Sequence, residues 1–263
     1  MTGLIRSEIR KIFTTRLWWG LLIGLVLSWA ALSALTGFAS GRTGGGALDR
    51  GLADPAVVRS VYTGGLSIGR LFALAFGVIA MAGEYRHQTI TATTLASPRR
   101  SRVVLAKLVV VALAGLGYGL AGVLSGVASG AAVVAGRGFR VDLVGNGVPR
   151  ALLTSAVAVA LWAVIGLGVG TLLRNQIVAL LLSIGLAWIA EPIIALVLNV
   201  AHAGDVAKYL PSQATDSLVS PPTTSGDLTV ALLPWWGGAL VLLAYAALSG
   251  GLGARLTLRR DIT

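Results

Sequence analysis

The sequence contains no cysteine and only two histidines in 263 residues. Disulfides and thiol nucleophiles are therefore excluded, and His87 and His202 alone do not supply a Cys/His metal site. None of the three lysines precedes a serine or threonine, so the chain has no G-x-x-x-x-G-K-[S/T] loop for ATP phosphates. We expect this chain to be no enzyme and to bind no metal or cofactor of its own.

Charged residues are also scarce, at 12% of the chain, whereas 56% of the residues are apolar. This balance lies outside the range of soluble globular proteins and places the chain in lipid. The net charge of +11 comes from basic residues spread over many short connections. A nucleic-acid-binding protein concentrates such residues on a water-soluble face, so no nucleic-acid partner is expected.

Apolar stretches of about 20 residues, the length that crosses a bilayer, recur along the chain. They predict a single all-α polytopic membrane domain, because the connections between them are too short for a second domain. The six predicted transmembrane helices are residues 17–38, 62–82, 105–135, 151–173, 177–198 and 232–252. The polar segment 201–228 is predicted to be an external or re-entrant segment.

The basic residues predict which side of the membrane each connection faces. Residues 1–16 place Ile5, Ile9 and Ile12 at helical spacing opposite basic side chains, which indicates an amphipathic helix lying in the membrane interface. In the six-span arrangement, 13 basic residues lie on the side of the two termini and 7 on the other. By the positive-inside rule, both termini are predicted to be cytoplasmic.

The loop between the second and third predicted spans carries the most specific signal. Glu84 lies near the start of a possible short helix, residues 84–98, where the helix dipole favours an acid, and Pro98 would end that helix. Ile90 and Leu95 give it apolar side chains suited to contact with a cytoplasmic protein. An ordinary basic loop attached to anionic lipid head groups is the alternative.

This loop resembles the cytoplasmic loop of ABC type-2 transporter permeases. That family's pattern runs Glu-x-x-x-x-Thr, Leu, Pro-x-x-Arg and Ala-Lys. It is matched here by Glu84 with Thr89, Leu95, Pro98 with Ser101 and Arg102, and Ala106 with Lys107. Two further stretches are similar to the family's interfacial helix and re-entrant external segment, namely Glu8-x-x-Lys11 before a Trp-rich first span, and Glu191-Pro192 with Tyr209-Leu210-Pro211.

The resemblance implies a permease that exports a substrate across the bacterial cytoplasmic membrane. It implies a homodimer or heterodimer of permeases bound to two separate ATPase subunits, which hold the ATP and magnesium. The loop would be the coupling helix that docks on these subunits. Its docking residues would be Glu84, Arg86, Thr89, Ile90, Leu95 and Pro98.

Two other classes of membrane protein fit the apolar pattern. A secondary transporter driven by an ion gradient usually shows internal repeats and several acids within its spans. No repeat is recognised here, and Glu191 is the one acid within a predicted span. A membrane scaffold without transport activity is the other alternative.

Two charges lie within the predicted spans, Arg70 in the second and Glu191 in the fifth. Each lies about 10–12 Å from the outer end of its span at 1.5 Å per residue, so their depths match. We predict an ion pair between them, within one chain or between two copies, because an isolated charge costs about 3 kcal/mol at mid-membrane. Alternatively, Arg70 extends toward the interface and Glu191 faces water at a turn.

Overall fold

A computed structural model describes residues 2–42, 51–86, 100–145, 147–173, 175–219 and 232–259 of the chain. Within these ranges every regular element is helical. The elements are α1 (Thr2–Thr14), α2 (Leu17–Ala39), α3 (Pro55–Thr63), α4 (Leu66–Arg86), α5 (Arg100–Gly136), α6 (Val148–Leu172), α7 (Gln176–Gly185), a π-helical turn (Leu186–Ala190), α8 (Glu191–Val200), α9 (Gly204–Ala207), α10 (Pro211–Val219) and α11 (Trp235–Arg259).

Five helical segments of the described residues are long and apolar enough to cross a membrane. They are Leu17–Ala39, Pro55–Glu84, Val103–Gly136, Val148–Leu172 and Gln176–Val200. The protein is therefore an all-α, multi-pass membrane protein. The apolar part of α11 that the structure describes, Trp235–Gly251, is shorter than these five, so the described residues give five spans rather than the predicted six.

The connection before the second span is more helical than the sequence predicted. Helix α3 begins before the predicted second span, which starts at residue 62, and ends within it. It starts with a cap, because the Asp54 carboxylate accepts the N–H of Ala56 at 2.8 Å. Pro55 in the first turn costs no helical hydrogen bond. Helices α3 and α4 together form the second candidate span.

Helix α6 lies at the centre of the fold and packs against α4, α5 and α11. Glycines let α4 and α6 approach backbone to backbone. A Cβ added at Gly77 would lie 1.9 Å from the carbonyl oxygen of Ala163, and one at Gly166 would lie 2.1 Å from that of Leu74. Such close contacts between small residues are the usual basis of helix association in lipid.

The glycines of α5 serve the first span in the same way. A Cβ at Gly122 would lie 2.4 Å from the ring of Trp29, and Gly126 also faces that indole. Trp29 is fully buried, and its indole N–H donates to the carbonyl of Tyr62 at 3.3 Å. The buried tryptophan of α2 is thus accommodated by glycines of α5.

The peripheral spans keep most of their surface apolar and exposed. In the most apolar 18-residue stretch of α2, 22% of the residues are buried, and the same fraction is buried in that of Gln176–Val200. The corresponding fraction for Pro55–Glu84 is 67%. Leu27 and Leu181 are typical exposed side chains, at 64% and 70%. Lipid tails solvate such side chains as well as a protein core does, so these faces are compatible with direct contact with the bilayer.

The predicted external segment 201–228 contains a buried helix, α10, which packs on α6 and α11. The indole N–H of Trp162 donates to the hydroxyl of Thr215 at 2.9 Å, and the hydroxyl of Thr154 donates to the carbonyl of Leu218 at 2.9 Å. Residues 220–228 lie outside the described part of the chain. The described part of this segment is therefore integrated into the helix bundle.

Candidate functional site

Four charged side chains meet where α1, α4 and α5 come together. Lys107 of α5 contacts Glu8 of α1 at 2.5 Å and Glu84 of α4 at 2.9 Å. Lys11 of α1 contacts the same two carboxylates, Glu8 at 2.6 Å and Glu84 at 2.7 Å. We call these four residues the loop-base cluster, because residues 87–99 leave from the end of α4 and return at the start of α5.

The loop-base cluster is mostly removed from solvent. Glu8, Glu84 and Lys107 are 4%, 8% and 6% exposed, whereas the Lys11 side chain is 36% exposed. Charges at such depth are tolerated when they are paired and hydrogen-bonded, since each ion pays a desolvation penalty of several kcal/mol. Two acids and two bases balance here, so the cluster is neutral as a whole.

The carboxylates of the cluster affect the ionisation of Lys11, which is its most exposed member. Burial by itself would lower the pKa of this ammonium, but the hydrogen bonds and charges of Glu8 and Glu84 outweigh it. The net effect raises the pKa of Lys11 above its ordinary value of 10.5. Lys11 is therefore charged throughout the physiological range.

Local sequence places each member of the cluster. Glu8 and Lys11 are three residues apart on α1, which puts both side chains on one face of the helix. Glu84 lies in the last turn of α4, and Lys107 lies two turns into α5, because that helix begins at Arg100 rather than near residue 105. The pairing joins the two helices that hold residues 87–99 to the amphipathic N-terminal helix.

The six predicted docking residues fall in two groups. Glu84 and Arg86 belong to the end of α4, so Glu84 does not start a separate loop helix, and its carboxylate is used inside the fold. Thr89, Ile90, Leu95 and Pro98 lie outside the described residues, as does most of the predicted coupling helix 84–98.

The two charges predicted to pair in the membrane do not contact each other within the chain. The guanidinium carbon of Arg70 lies 5.3 Å from the centre of the Trp162 ring, at 8% exposure. Its Nε has no hydrogen-bond partner in the described structure. Glu191 instead accepts hydrogen bonds from the backbone N–H of Ser212 and from its hydroxyl, the latter at 2.7 Å. A pair between two copies stays a prediction.

A third charge near these two was missed from the sequence. Asp216 of α10 interacts electrostatically with both Arg70 and Glu191. Its side chain is exposed, although the residues on both sides of it are buried. Asp216 lies in the segment 201–228, whose polar sequence predicts an external or re-entrant segment and not a buried helix. The sequence signal that indicates a helix here is Pro211, because proline is favoured at the first position of a helix. We call Arg70, Glu191 and Asp216 the Arg70 cluster.

The helix that carries Glu191 is irregular at that point. Residues Leu186–Ala190 form a π-helical turn, in which the N–H of Glu191 bonds to the carbonyl of Leu186. Pro192 follows and has no N–H to donate. Single π turns within α-helices are frequent at functional sites. Here the turn coincides with the acid that holds the start of α10.

No protein-family model matches this sequence, and the comparison with curated proteins gives no significant match. Among the residues that the structure describes, no three His, Cys, Asp or Glu side chains are grouped so that they could hold a metal ion. The candidate site is therefore described by its geometry alone. It consists of two clusters of charged side chains, the loop-base cluster and the Arg70 cluster, which are carried by the helices of the bundle.

Proposed function

We propose that the chain is the membrane-spanning permease subunit of an ATP-driven exporter. In this proposal α11 is the sixth span, both termini are cytoplasmic, and the protein resides in the bacterial cytoplasmic membrane. Two copies, or this chain and a paralogue, form the substrate pathway. Separate ATPase subunits bind ATP and magnesium and dock on the loop of residues 87–99.

The observation that carries the proposal is the loop-base cluster. Its members come from three separate stretches that resemble the ABC type-2 permeases, namely Glu8-x-x-Lys11, the start of the loop motif at Glu84, and Ala106-Lys107. Stretches distant in sequence meet in one bonded unit, with Lys107 and Glu8 99 residues apart and Lys11 and Glu84 73 apart. This arrangement supports the proposal, because the three stretches that resemble the family form one structural unit.

In this proposal the loop-base cluster is a rigid base for the loop of residues 87–99. A partner that pushes on residues 87–99 acts on the ends of α4 and α5, which Glu84 and Lys107 join directly. The same charges attach α1, so the interfacial helix moves with the two spans. Helix α4 in turn packs closely on the central helix α6 through Gly77 and Gly166. A movement of the loop that an ATPase subunit causes can therefore be transmitted through closely packed helices to the centre of the bundle.

Co-purification tests the proposal most simply. The tagged full-length chain, extracted from its native membrane, should bring down a Walker-motif ATPase. Ile90→Asp and Leu95→Asp should each abolish this association, because an unpaired carboxylate in a protein interface costs several kcal/mol. The variants should still insert into the membrane. Recovery of the ATPase at wild-type level with both variants would overturn the docking assignment.

The Arg70 cluster favours a second candidate, a secondary transporter driven by an ion gradient. Asp216 adds a second acid beside Glu191, and intramembrane acids are the usual sites of ion coupling. The two candidates differ in energy source. In vesicles at constant ATP, a protonophore should leave transport by an ATP-driven exporter unchanged. Transport that stops with the protonophore and continues without ATP would favour the secondary transporter.

A further inference from the structure

A cavity of about 320 Å³ lies directly beside the loop-base cluster, between α1, α2, α4 and α5. Its two ends differ in character. Its apolar lining includes Leu21, Phe76 and Val111. Phe76 lies about two helical turns from Glu84 on α4, and Val111 lies about one turn from Lys107 on α5, so the apolar side chains form the end that is deeper in the bundle. The other end is bounded by the cluster, by Thr14 and Thr15, and by Gln176. A cavity with one apolar and one polar end matches an amphiphile.

The size of the cavity limits the apolar part of such a ligand. Cavities that hold small molecules are about 300–1,000 Å³, so this one lies at the lower limit. It has room for a single hydrocarbon chain and not for the paired chains of an ordinary bilayer lipid. Phe76 and Val111 are 4% and 1% exposed, so the walls of the deep end are packed in the core.

The polar end favours an uncharged head group. The two acids and two bases of the loop-base cluster are paired with each other, and a ligand with a net charge would compete with these pairs. The Thr14 and Thr15 hydroxyls donate their protons to the carbonyls of Lys11 and Ile12, at 3.1 and 2.9 Å. Their oxygens are then acceptors, and hydroxyl groups on a ligand can donate to them.

We propose that this cavity binds the single hydrocarbon chain of an amphiphile whose uncharged, hydroxyl-bearing head group lies against Thr14 and Thr15. The proposal does not depend on the ATP-driven function, since it concerns occupancy of a cavity within one chain. A bound chain would contact α1, α2, α4 and α5 at once, adjacent to the pairs that join α1 to the two spans.

Two glycines provide a matched pair of variants. Gly83 lines the cavity, and Gly117 of α5 does not; a Cβ added at either would meet no atom within 4 Å. Gly83→Phe should therefore place a benzyl group in the cavity, whereas Gly117→Phe should place one on an exposed helix face. Both substitutions remove a helical glycine, so their effects on the helix itself are comparable.

The experiment uses the purified full-length chain in phosphatidylcholine nanodiscs. The probe is a monoacylglycerol with a photoreactive diazirine in its chain, and labelled residues are identified by mass spectrometry. We expect saturable labelling at the cavity walls that unlabelled monoacylglycerol displaces. Gly83→Phe should weaken the apparent affinity by about tenfold or more, a change of about 1.4 kcal/mol. Gly117→Phe should match the wild type.

Three results would overturn the proposal. Labelling that rises linearly with probe and is equal in both variants would mean ordinary bilayer lipid at an outer surface. Stronger displacement by a fatty acid or an alkyl trimethylammonium of equal chain length would contradict the uncharged head group.

Ile79→Trp, at a second lining position, covers the case in which Gly83→Phe does not fold. Unchanged labelling in a folded Ile79→Trp protein would exclude the cavity.

Discussion

The loop-base cluster and the Arg70 cluster are both charged and both lie among membrane helices, but they differ in how their charges are satisfied. In the first, Lys107 contacts both Glu8 and Glu84 within 2.9 Å. In the second, the Nε of Arg70 has no hydrogen-bond partner among the described residues, and Glu191 bonds to Ser212 rather than to the guanidinium. Charged groups that are all paired are typical of a fixed structural contact. A donor without a hydrogen-bond partner is suited to a group that changes partners.

The largest expected effect is at the centre of the loop-base cluster. Lys107→Met should destabilise the protein by about 3–5 kcal/mol, because Lys11 then remains as the one cation of the cluster for two buried carboxylates, and one negative charge is left uncompensated. Thermal unfolding of the purified protein in detergent measures this. Lys208→Met is the matched control, since Lys208 pairs with the 86% exposed Asp205, and it should cost at most about 1 kcal/mol. Equal losses would remove the contrast between buried and exposed pairs.

A second variant separates pairing from simple burial. Glu84→Gln combined with Lys107→Met should be less destabilising than the sum of the two single changes. Residues in direct contact show coupling energies of about 0.5–3 kcal/mol. The same thermal measurement on all four proteins gives the coupling. Additive losses would mean that Glu84 and Lys107 do not act as a pair.

The Arg70 cluster should respond in the opposite way. Arg70→Met should change stability by no more than about 1–2 kcal/mol, because the Arg70 Nε has no hydrogen-bond partner among the described residues and the contact with the Trp162 ring contributes about 0.5–2 kcal/mol. Transport should nevertheless fall strongly if this cluster changes partners during the cycle. Unfolding and transport are measured on the same preparation. A loss of stability as large as that of Lys107→Met would show that Arg70 is a structural residue.

The smallest effect is a pH dependence of the loop-base cluster. The folded-state pKa of Lys11 is raised, so its contribution to stability is present below the unfolded value of about 10.5 and is lost as pH rises through the folded value. The wild type should therefore lose more stability than Lys11→Met above about pH 10.5. Urea unfolding at a series of pH values measures the difference. Parallel curves would mean that Lys11 gains nothing from its carboxylates.

The sequence predicted the helices better than it predicted the contacts between side chains of different helices. Apolar runs predicted an all-α membrane protein because length and hydropathy are local properties. The loop-base cluster was not predicted, since Glu8 and Lys107 are 99 residues apart and helical spacing relates only near neighbours. The motif residues were recognised separately, and Glu84 was assigned to docking rather than to a buried pair. Asp216 was missed because α10 is short and polar enough to be read as a loop.

Docking of residues 87–99 on an ATPase subunit can be measured directly, because the sequence contains no cysteine. Ile90→Cys gives the chain a single thiol in that loop. Val144→Cys, at an 86% exposed residue of the connection predicted to be external, is the control. After treatment of native membranes with a thiol-to-amine cross-linker, the Ile90→Cys chain should be joined to a Walker-motif ATPase and the Val144→Cys chain should not. An ATPase cross-linked to Val144→Cys, or to neither variant, would contradict docking at residues 87–99.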